Sequence, residues 1–419
     1  MKKHAAAAVA LAATMAILLA GCTGRGEPAQ GASEETGDIV IRASYPLSGP
    51  LASAGLSAAG VTAYFDAVNA AGGIDGRQID FEAVDDAFDP ARQVSNNQQF
   101  VEQDDAIIVI NFGGISVAAR PPLNNAGVAQ IVQGGETELS DTEAFPFSRA
   151  YVPDIAWEGE LQGRYITETF PDANVGFVGF NNALADSQLN GLEAGGITPS
   201  TVIKLPPGQA DVASQVTELQ AAGVDVLVVT QGPPTIGALL SYMGEIGYHP
   251  TLFIGSPYAD FASTVIPAGA DNVTGALSYQ WFKDPQNPAV ESDEAIVQFT
   301  EDMAEYSPDG DSTQTFTLTG YGLASAIVSA LSEADEITSE GFLEAWDTVS
   351  DVENPMLIEG ASLNGGPGGR LVYQYPPAHV RRNELDPRRR DRQRRGRRHR
   401  RVARRRARAG HRSSCPVAH

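Results

Sequence analysis

Apolar runs of strand length alternate with segments of helical periodicity along most of this chain, and the alternation constrains its fold more than any other feature. A first array of this kind begins at Ile39, and a second with the same rhythm begins near Asn174. Strands separated by amphipathic helices are typical of βαβ units, in which the strands run parallel and helices cover both faces of the sheet. We therefore predict an α/β protein with two such arrays.

The predicted elements suggest how the two arrays are connected. The first array has strand candidates at 39–45, 79–84, 106–111 and 128–132, and helix candidates at 56–71, 90–103 and 117–126. The second has strand candidates at 175–180, 202–205, 225–230, 252–255 and 273–279, and helix candidates at 156–170, 188–195, 212–222 and 235–246. Helices between 288 and 349 come late and have no strands of their own to cover, and a last strand is predicted at 370–375. Because late helices must pack on sheets already formed, we expect the chain to cross between the lobes more than once.

The N-terminus has the pattern of an export signal. Two lysines precede an apolar run at 5–20 that is short for a bilayer-spanning helix, and small residues lead into Cys22. The order resembles a bacterial lipoprotein signal, in which the peptide before the cysteine is removed and a lipid is attached to its thiol. We expect a signal peptide at 1–21, a flexible spacer at 22–37 and lipidation of Cys22, which would anchor an extracytoplasmic protein to the membrane. The alternative is an ordinary secretory signal with an incidental cysteine.

Charge and residue usage disfavour several classes of function. The chain has 52 Asp and Glu against 29 Lys and Arg, a net charge of −23, and such a surface repels nucleic acid. Between residues 23 and 378, His249 is the single histidine and there is no cysteine. Ser-His-Asp or Cys-His catalysis would therefore have to use His249 alone, and zinc sites of the usual Cys/His kind lack ligands. We predict no catalytic residue, no metal, no cofactor and no nucleic-acid partner, and we place His249 in a turn.

The composition inverts at the C-terminal end. Seventeen of the last 41 residues are Arg, and the hydrophobic periodicity stops after Tyr375. One interpretation is a basic arm for an anionic partner, although export would remove the protein from nucleic acid. We favour a shift of reading frame after about Tyr375, which would make 376–419 an Arg-rich, disordered tail. Resequencing the gene tests this hypothesis, because a continuous frame would end it.

Several motifs resemble the type I periplasmic solute-binding proteins of ABC importers, and most closely the leucine/isoleucine/valine-binding group. Each motif is common in turns, but their order behind a lipoprotein-like N-terminus is specific, and together they cover nearly the whole body of the chain. The motifs are Tyr45-Pro46-Leu47-Ser48-Gly49-Pro50, Val68-Asn69-Ala70-Ala71-Gly72-Gly73-Ile74-Asp75-Gly76, Asp85-Asp86-Ala87-Phe88-Asp89-Pro90, and the segments 111–116 and 127–135.

The resemblance implies two doubly wound, Rossmann-like lobes joined by a three-crossing hinge, with a solute held in the cleft. Lobe one would comprise 38–150 plus 281–354, and lobe two 151–280 plus 355–375. Ligands of such sheets bind beyond the carboxyl ends of the strands, where helix N-termini offer free N–H groups. The implied function is that of a non-enzymatic, monomeric receptor that delivers a small solute to an ABC permease. A sensory protein on this fold, and a hydrolase that uses Asp or Glu pairs across the cleft, are the alternatives.

The resemblance also assigns candidate site residues in lobe one. In the family, two glycine-rich loops hold the carboxylate and the ammonium of the ligand with backbone groups and a hydroxyl. The matching residues here are Gly113, Gly114, Ser116, Gly134, Gly135 and Thr137, together with Ser48 in the first loop. For each of them the alternative is a turn residue or a helix cap.

Lobe two departs from the amino-acid-binding pattern. The positions of two cleft tyrosines and of a glutamate that pairs the ammonium are not matched, so the resemblance does not fix a branched-chain amino acid as the ligand. The loss of aromatic walls allows an amide, a short peptide-like compound or an aromatic acid. Tyr258 is a candidate to stack on the ligand. The candidates to replace the missing acid are Asp186, Glu136 and Asp260, each with a solvated or capping role as its alternative.

Two acidic clusters have a simpler interpretation. Asp85, Asp86 and Asp89 could suggest a cation site, but one short loop supplies few ligands and helix capping explains it. The acids at 301, 302 and 305 fall at exposed helical spacing, and we expect them to form a solvated face.

Overall fold

The computed structural model describes residues 37–260, 263–264, 266–287, 290–349, 354–359, 361–365 and 377–379. The expected signal peptide, the spacer up to residue 36 and Cys22 lie outside the described residues. The predicted strand at 370–375 and residues 380–419 of the Arg-rich tail also lie outside them.

Two sheets with five parallel strands each form the frame of the molecule, and this confirms the predicted α/β class. The first sheet has the order β2-β1-β3-β4-β5, and its strands are β1 Ile39–Tyr45, β2 Ile79–Asp85, β3 Ile108–Phe112, β4 Ala129–Gln133 and β5 Ser148–Ala150. The second has the order β11-β10-β9-β8-β6-β7, and its strands are β6 Val175–Phe180, β7 Thr201–Leu205, β8 Val226–Thr230, β9 Thr251–Ile254, β10 Leu277–Tyr279 and β11 Pro377–His379. Only β11 runs antiparallel to its neighbour among these strands. Central strands such as β3 and β8 are buried at every position, as expected when helices cover both faces.

The helices follow the predicted positions, except that the helix predicted at 188–195 begins at Ala183, and two further segments need correction. Their bounds are α1 Ala52–Gly55, α2 Ser57–Ala70, α3 Pro90–Glu102, α4 Arg120–Ala126, α5 Ile155–Thr169, α6 Ala183–Ala194, α7 Ala213–Ala221, α8 Pro233–Glu245, α9 Ile266–Ala268, α10 Ala270–Val273, α11 Glu294–Tyr306, α12 Thr315–Glu333 and α13 Ser339–Thr348. The single helix predicted at 117–126 is instead a 3-10 turn at Gly114–Val117 followed by α4, because consecutive prolines fit only the first turn of a helix. The strand predicted at 273–279 is the end of α10 followed by the shorter β10.

The late helices pack on the first lobe, as their lack of strands predicts. Helix α12 lies along α2, and Ser57 Oγ donates a hydrogen bond of 3.0 Å to the Phe316 carbonyl. A Cβ atom on Gly60 would lie 1.9 Å from the Thr317 carbonyl oxygen, so the two backbones approach more closely than an alanine allows. Within the described residues, α12 alone is long and apolar enough to resemble a membrane span, and most of its apolar stretch is buried inside the protein.

Three segments connect the lobes and pack against one another. The first follows β5, where the Tyr151 ring lies 5.8 Å from the Phe282 ring of the second segment. Phe282 in turn forms an antiparallel bridge with Leu357 of the third segment. The backbone amides of Lys283 and Ile358 complete this bridge, with hydrogen bonds of 2.9 and 3.0 Å across it. The predicted three-crossing hinge is thus a small packed unit.

One boundary needs correction. Lobe two was expected to end at Tyr375, with a disordered tail from 376, yet Pro377–His379 form β11 and pair with β10 at the edge of the second sheet. The second sheet therefore includes three residues of the segment that composition assigned to the tail.

Candidate functional site

A cavity opens between the two lobes at the carboxyl ends of the parallel strands, which is where open α/β sheets place their ligands. It encloses about 1000 Å³ of empty space, counting its opening to solvent. Loops that follow β3, β4, β6 and β9 supply much of its lining, and the crossing segments and α12 supply the rest. The residues from those loops are Phe112, Gly113, Gly114, Gln133, Gly134, Gly135, Glu136, Asn182, Ser256, Tyr258 and Asp260.

The lobe-one wall is a corner made of backbone. Gly113 has a φ of +73°, and a Cβ atom there would lie 2.8 Å from the Phe88 ring. Its amide donates to the Gln133 carbonyl at 3.2 Å, which joins the loop after β3 to the end of β4. Gly135 lies as close to the first crossing, since its Cβ would be 3.1 Å from the Pro153 carbonyl oxygen. Glycine is required here because both loops approach neighbouring groups closely.

The side chain of Glu136 fills this corner. It is 2 % exposed, and its Oε1 would lie 2.4 Å from a Cβ atom on Gly114. Its Oε2 would lie 2.8 Å from a Cβ atom on Gly134. The two glycines therefore make room for a carboxylate that belongs to the protein itself.

Glu158 is the buried acid of the lobe-two wall. It lies in the first turn of α5, is 1 % exposed, and lines the cavity. Its Oε1 accepts from the Ser256 amide at 3.0 Å and from Gln162 Nε2 at 3.0 Å, and its Oε2 accepts from Ser256 Oγ at 2.5 Å. Burial raises the pKa of Glu158 to about 7, although the Ser256 hydrogen bonds act in the opposite direction.

Two further acids complete an acidic lining. Asp260 and Asp284 are each 4 % exposed and line the cavity. Asp260 accepts from the amide and the hydroxyl of Ser263 at 2.8 and 2.5 Å, and Asp284 accepts from the Gln286 amide at 2.7 Å. Among the described residues that line the cavity, none is Lys, Arg or His. The described part of the lining therefore combines buried carboxyl groups with neutral side chains.

Among the residues that the structure describes, seven aromatic side chains line the cavity. The Phe180 and Tyr258 rings meet edge to face with centroids 5.5 Å apart, and Phe112 meets Phe316 in the same way at 6.0 Å. Burial is the main cause that raises the pKa of the Tyr258 hydroxyl well above its ordinary value. The negative charges of the nearby Glu136 and Glu158 carboxylates raise it further. Tyr258 therefore stays neutral and lies close to an acid from each lobe.

Comparison with known proteins settles the family. Residues 39–382 match the family model described as periplasmic binding protein. The chain belongs to the periplasmic binding protein family. A curated relative, the Leu/Ile/Val-binding protein homolog 3 of Brucella melitensis, is 26 % identical over 311 residues, which cover 72 % of this chain and 81 % of the relative. The match places the chain among periplasmic binding proteins, and its curated relatives are named as Leu/Ile/Val-binding proteins.

Solved structures show the same fold. The substrate-binding periplasmic protein of Ralstonia solanacearum superposes with a TM-score of 0.73 at 21 % identity, covering 83 % of this chain and 99 % of that one. The branched-chain amino acid substrate-binding protein of Streptococcus pneumoniae, in complex with isoleucine, gives 0.69 at 19 %, with coverage of 83 % and 98 %. A fatty acid ABC transporter substrate-binding protein from Thermomonospora curvata gives 0.68 at 19 %, with coverage of 84 % and 95 %. At this identity the likeness establishes the fold of the binding protein, and not its ligand.

The structure of the binding protein brings only some of the candidate site residues to the cavity. Its lining includes Gly113, Gly114, Gly134, Gly135 and Tyr258, and it also includes Glu136 and Asp260. Four candidates lie outside the lining, and the structure shows protein partners for three of them. Ser48 Oγ donates to Asp85 at 2.6 Å, Thr137 Oγ1 donates to Asp154 at 2.9 Å, and Asp186 pairs with Lys204 near the surface. The fourth, Ser116, is fully buried in the 3-10 turn after β3. A ligand role for these four stays a prediction.

The acidic loop at 85–89 works as turn and cap. Asp89 accepts from the Ala91 and Arg92 amides at the start of α3, which is the capping role expected of it. Asp86 is fully buried and accepts from Ser44 Oγ at 2.9 Å and from Gln93 Nε2 at 3.0 Å. Within the described residues there is no group of three or more His, Cys, Asp or Glu that could hold a metal ion.

The expectation of a solvated face on α11 was wrong at one position. Asp302 is 9 % exposed and accepts from the Tyr321 hydroxyl of α12 at 2.5 Å. Glu301 and Glu305 are exposed, as predicted.

Proposed function

We propose that this protein captures a small organic solute in the cavity between its lobes, outside the cytoplasm, and presents it to an ABC permease. The observation that carries this proposal is that both lobes contribute residues to the lining of the cavity. Residues of the first lobe, of the second lobe and of the crossing segments all face one space, and this space lies at the carboxyl ends of both sheets. A solute in it touches both lobes at once.

Such a lining couples binding to lobe closure. Contacts from Gly113 and Glu136 on one side and from Ser256 and Tyr258 on the other are made together only when the walls meet. A solute that makes both sets of contacts favours the closed arrangement over the open one by its differential affinity. The permease would then recognise the closed form.

The proposed solute class is amino acids, amides and related organic molecules. The relatives are named for leucine, isoleucine and valine, while one structural neighbour holds isoleucine and another is named for fatty acids. The fold thus accommodates different ligands, and the side chains of this cavity must select among them.

A thermal-shift screen of the full-length protein tests the proposal. Amino acids, amides, amines and small organic acids are added in turn, and a bound solute should raise the unfolding midpoint with the logarithm of its concentration. Calorimetry with each positive solute should give one site per chain. A folded protein that responds to no solute of any class would contradict the proposal.

We further propose that a lipid on Cys22 holds the receptor at the outer face of the membrane. The pattern of small residues before Cys22 supports this anchor. A Cys22→Ser variant should be released from the membrane fraction of expressing cells. Retention of the variant at wild-type levels would count against the anchor.

The buried acids of the cavity support a second candidate function, that of a hydrolase. Carboxyl groups stand on both walls of the cavity, Glu136 on one and Glu158 and Asp260 on the other, and a hydrolase that uses carboxylate pairs needs such a distribution. Prolonged incubation with any solute that binds decides between the two. Recovery of the unchanged solute favours the receptor, and its cleavage favours the hydrolase.

A further inference from the structure

A phenylalanine in a strained loop reaches the cavity from lobe one. Ala87 and Phe88 follow β2 and have φ values of +51° and +60°, a region that is unfavourable for residues with a side chain and most of all for a bulky one. The other described non-glycine residues with positive φ are two aspartates, Asp75 and Asp105, whose short polar side chains tolerate this conformation. Two successive residues of this kind, one of them aromatic, therefore need a cause outside the loop itself.

Hydrogen bonds and close packing hold the loop in this conformation. The Ala87 amide donates to Asp85 Oδ1 at 2.9 Å, and the Phe88 amide donates to Oδ1 of the fully buried Asp86 at 2.8 Å. A Cβ atom on Gly49 would lie 3.1 Å from the Ala87 carbonyl oxygen, so the loop after β1 packs on the strained pair. Strain that the surroundings fix in this way clusters at functional sites. We therefore consider the position of the Phe88 ring to be the feature that this loop maintains.

The Phe88 ring extends an aromatic series along the lobe-one wall. It lines the cavity, and its centroid lies 6.4 Å from that of Phe112 in an edge-to-face contact at 60°. A Cβ atom on Gly113 would lie 2.8 Å from Phe88 Cε2, so the glycine makes room for the ring. Phe112 meets Phe316 of α12 at 6.0 Å. The aromatic series, Phe88, Phe112 and Phe316, thus presents three rings to the cavity from one side.

Lobe two and the second crossing present rings to the same space. Phe180 and Tyr258 meet edge to face at 5.5 Å, and the Trp281 and Phe282 rings of the crossing lie 4.9 Å apart. Contacts between rings stabilise by more than the area they bury, because the positive edge of one ring faces the negative face of another. A solute ring between the two walls makes such contacts with both lobes, whereas an aliphatic group of the same size gains burial alone.

Building on the proposed solute capture, we propose that the solute carries an aromatic ring and that Phe88 is a residue that selects for this ring. The ring of the solute lies between the aromatic series of lobe one and the Phe180–Tyr258 pair of lobe two. This assignment concerns the apolar body of the solute and is independent of the charge of its polar end. The aliphatic amino acids for which the curated relatives are named would fill the cavity without these ring contacts.

Probes that differ only in the aromaticity of a ring test this proposal. Each pair shares one polar end and has either a phenyl or a cyclohexyl ring: phenylalanine with cyclohexylalanine, phenylacetate with cyclohexylacetate, phenylacetamide with cyclohexylacetamide, and phenethylamine with 2-cyclohexylethylamine. Burial alone favours the cyclohexyl compound, which is slightly larger and more apolar. Calorimetry on the full-length protein should nevertheless show at least one phenyl compound binding about fivefold or more tighter than its partner, with no pair reversed. A panel in which no phenyl compound exceeds its partner by that factor, or in which any pair is reversed, would overturn the proposal.

The two proposals fail in different ways. Binding of leucine or of a cyclohexyl compound in preference to the phenyl compounds would leave solute capture intact and would remove only the aromatic ring. Silence of the folded protein towards every class in the wider thermal-shift screen would remove solute capture itself.

Phe88→Leu separates ring contact from apolar packing. Leucine keeps an apolar side chain without the ring, so we expect the preference for the phenyl compound to fall about threefold or more, while the affinity for its cyclohexyl partner changes by less than about twofold. Phe316→Leu, at the other end of the aromatic series, should act in the same direction, so the test does not depend on the folding of one variant. The unfolding midpoint of each variant is measured beside its affinities.

Phe81→Leu is the matched control for these variants. Phe81 is a half-buried ring of lobe one that meets Phe65 edge to face at 5.4 Å, as Phe88 meets Phe112, and it is not among the described lining residues. The control should change neither affinity of a pair. Equal losses for both members of each pair in Phe88→Leu and Phe316→Leu, or no change in either variant, would contradict the assignment of Phe88.

Discussion

The two lobes share one architecture but build their sides of the cavity differently. Each has a sheet of five parallel strands covered by helices. The lobe-one wall is mainly a backbone corner, in which Gly113 and Gly134 permit close approach and a single acid is inserted. The lobe-two wall consists of side chains, among them Glu158, Ser256 and Tyr258. The difference teaches that one fold can build one wall of its cleft from backbone and the opposite wall from side chains.

In both lobes, glycines allow two helix backbones to pack in close contact. The paired helices are separated by different lengths of sequence in the two lobes. Helix α2 crosses α12, where a Cβ atom on Gly320 would lie 2.0 Å from the Ser57 carbonyl oxygen. Helix α5 crosses its successor α6, where a Cβ atom on Gly191 would lie 1.9 Å from the Ala156 carbonyl oxygen. Lobe one therefore depends on a contact between distant segments, and lobe two on a contact between neighbours.

The largest effect is expected from adding one methyl group at either crossing. Gly320→Ala and Gly191→Ala should each lower the free energy of unfolding by about 3 kcal/mol, because a helix backbone must move to admit the new atom. Gly237→Ala provides a matched control in α8, where nothing lies within 4 Å of the added Cβ. It should raise stability by about 0.5–1 kcal/mol through helix propensity. Urea unfolding followed by circular dichroism measures all three.

The stability losses also test whether the two lobes depend equally on their close helix–helix contacts. Similar losses in both variants would show that sequence separation does not matter once the helices are packed. A Gly320→Ala midpoint equal to that of Gly237→Ala would contradict the close approach in lobe one.

Strand positions could be predicted because parallel strands that are buried on both faces are continuous apolar runs. Strands β1 and β6 begin and end where the sequence predicts. Strand β5 was missed, since its three residues include buried Ser148 and Arg149 and show no apolar run. The glycine loops of the site were predicted from the family resemblance, and the positive φ at Gly113 gives the local reason for glycine at that position.

Buried acids could not be predicted in the same way. A single glutamate on an amphipathic helix is usually solvated, but Glu158 is buried against Ser256, which lies 98 residues further along the chain. Asp302 was assigned to a solvated face for the same reason, although Tyr321 covers it. The charge of the cavity thus depends on tertiary contacts that leave no periodic signal in the sequence.

The next largest effect is the pH dependence that Glu158 confers. Its pKa is about 7 in the folded protein and lies near 4.5 in the unfolded chain. Between these values the folded state keeps a proton that the unfolded state has lost, so stability falls as pH rises through this window. Above about pH 7 the full cost of the buried charge remains, on the order of 3 kcal/mol. The Glu158→Gln variant lacks this ionisable group. Its free energy of unfolding should therefore fall less than that of the wild type between pH 5 and 8.

Other titratable groups near Glu158 do not change this sign. Tyr258 and Tyr279 both pack close to it, and burial raises the pKa of Tyr279 to about 12, so neither tyrosine ionises between pH 5 and 8. Glu136 from lobe one is present in the wild type and in the variant, so its contribution cancels to first order. If the stability of the wild type and of Glu158→Gln changed in parallel with pH, Glu158 would be ionised throughout this range. Lobe two would then contribute no pH dependence through Glu158.

The smallest effect is expected where lobe two presents an acid outside the cavity. Asp186 lies in the first turn of α6 and pairs with Lys204 near the surface, and exposed pairs of this kind contribute little because water and salt screen them. Asp186→Asn should change the free energy of unfolding by less than about 0.5 kcal/mol and leave the affinity for any bound solute unchanged. Calorimetry with the tightest-binding solute compares the affinity of Asp186→Asn with that of Glu136→Gln, a variant of a residue that lines the cavity. A tenfold loss of affinity in Asp186→Asn would mean that lobe two recruits this acid on closure, and the wall of side chains would then extend beyond the residues that line the cavity in this structure.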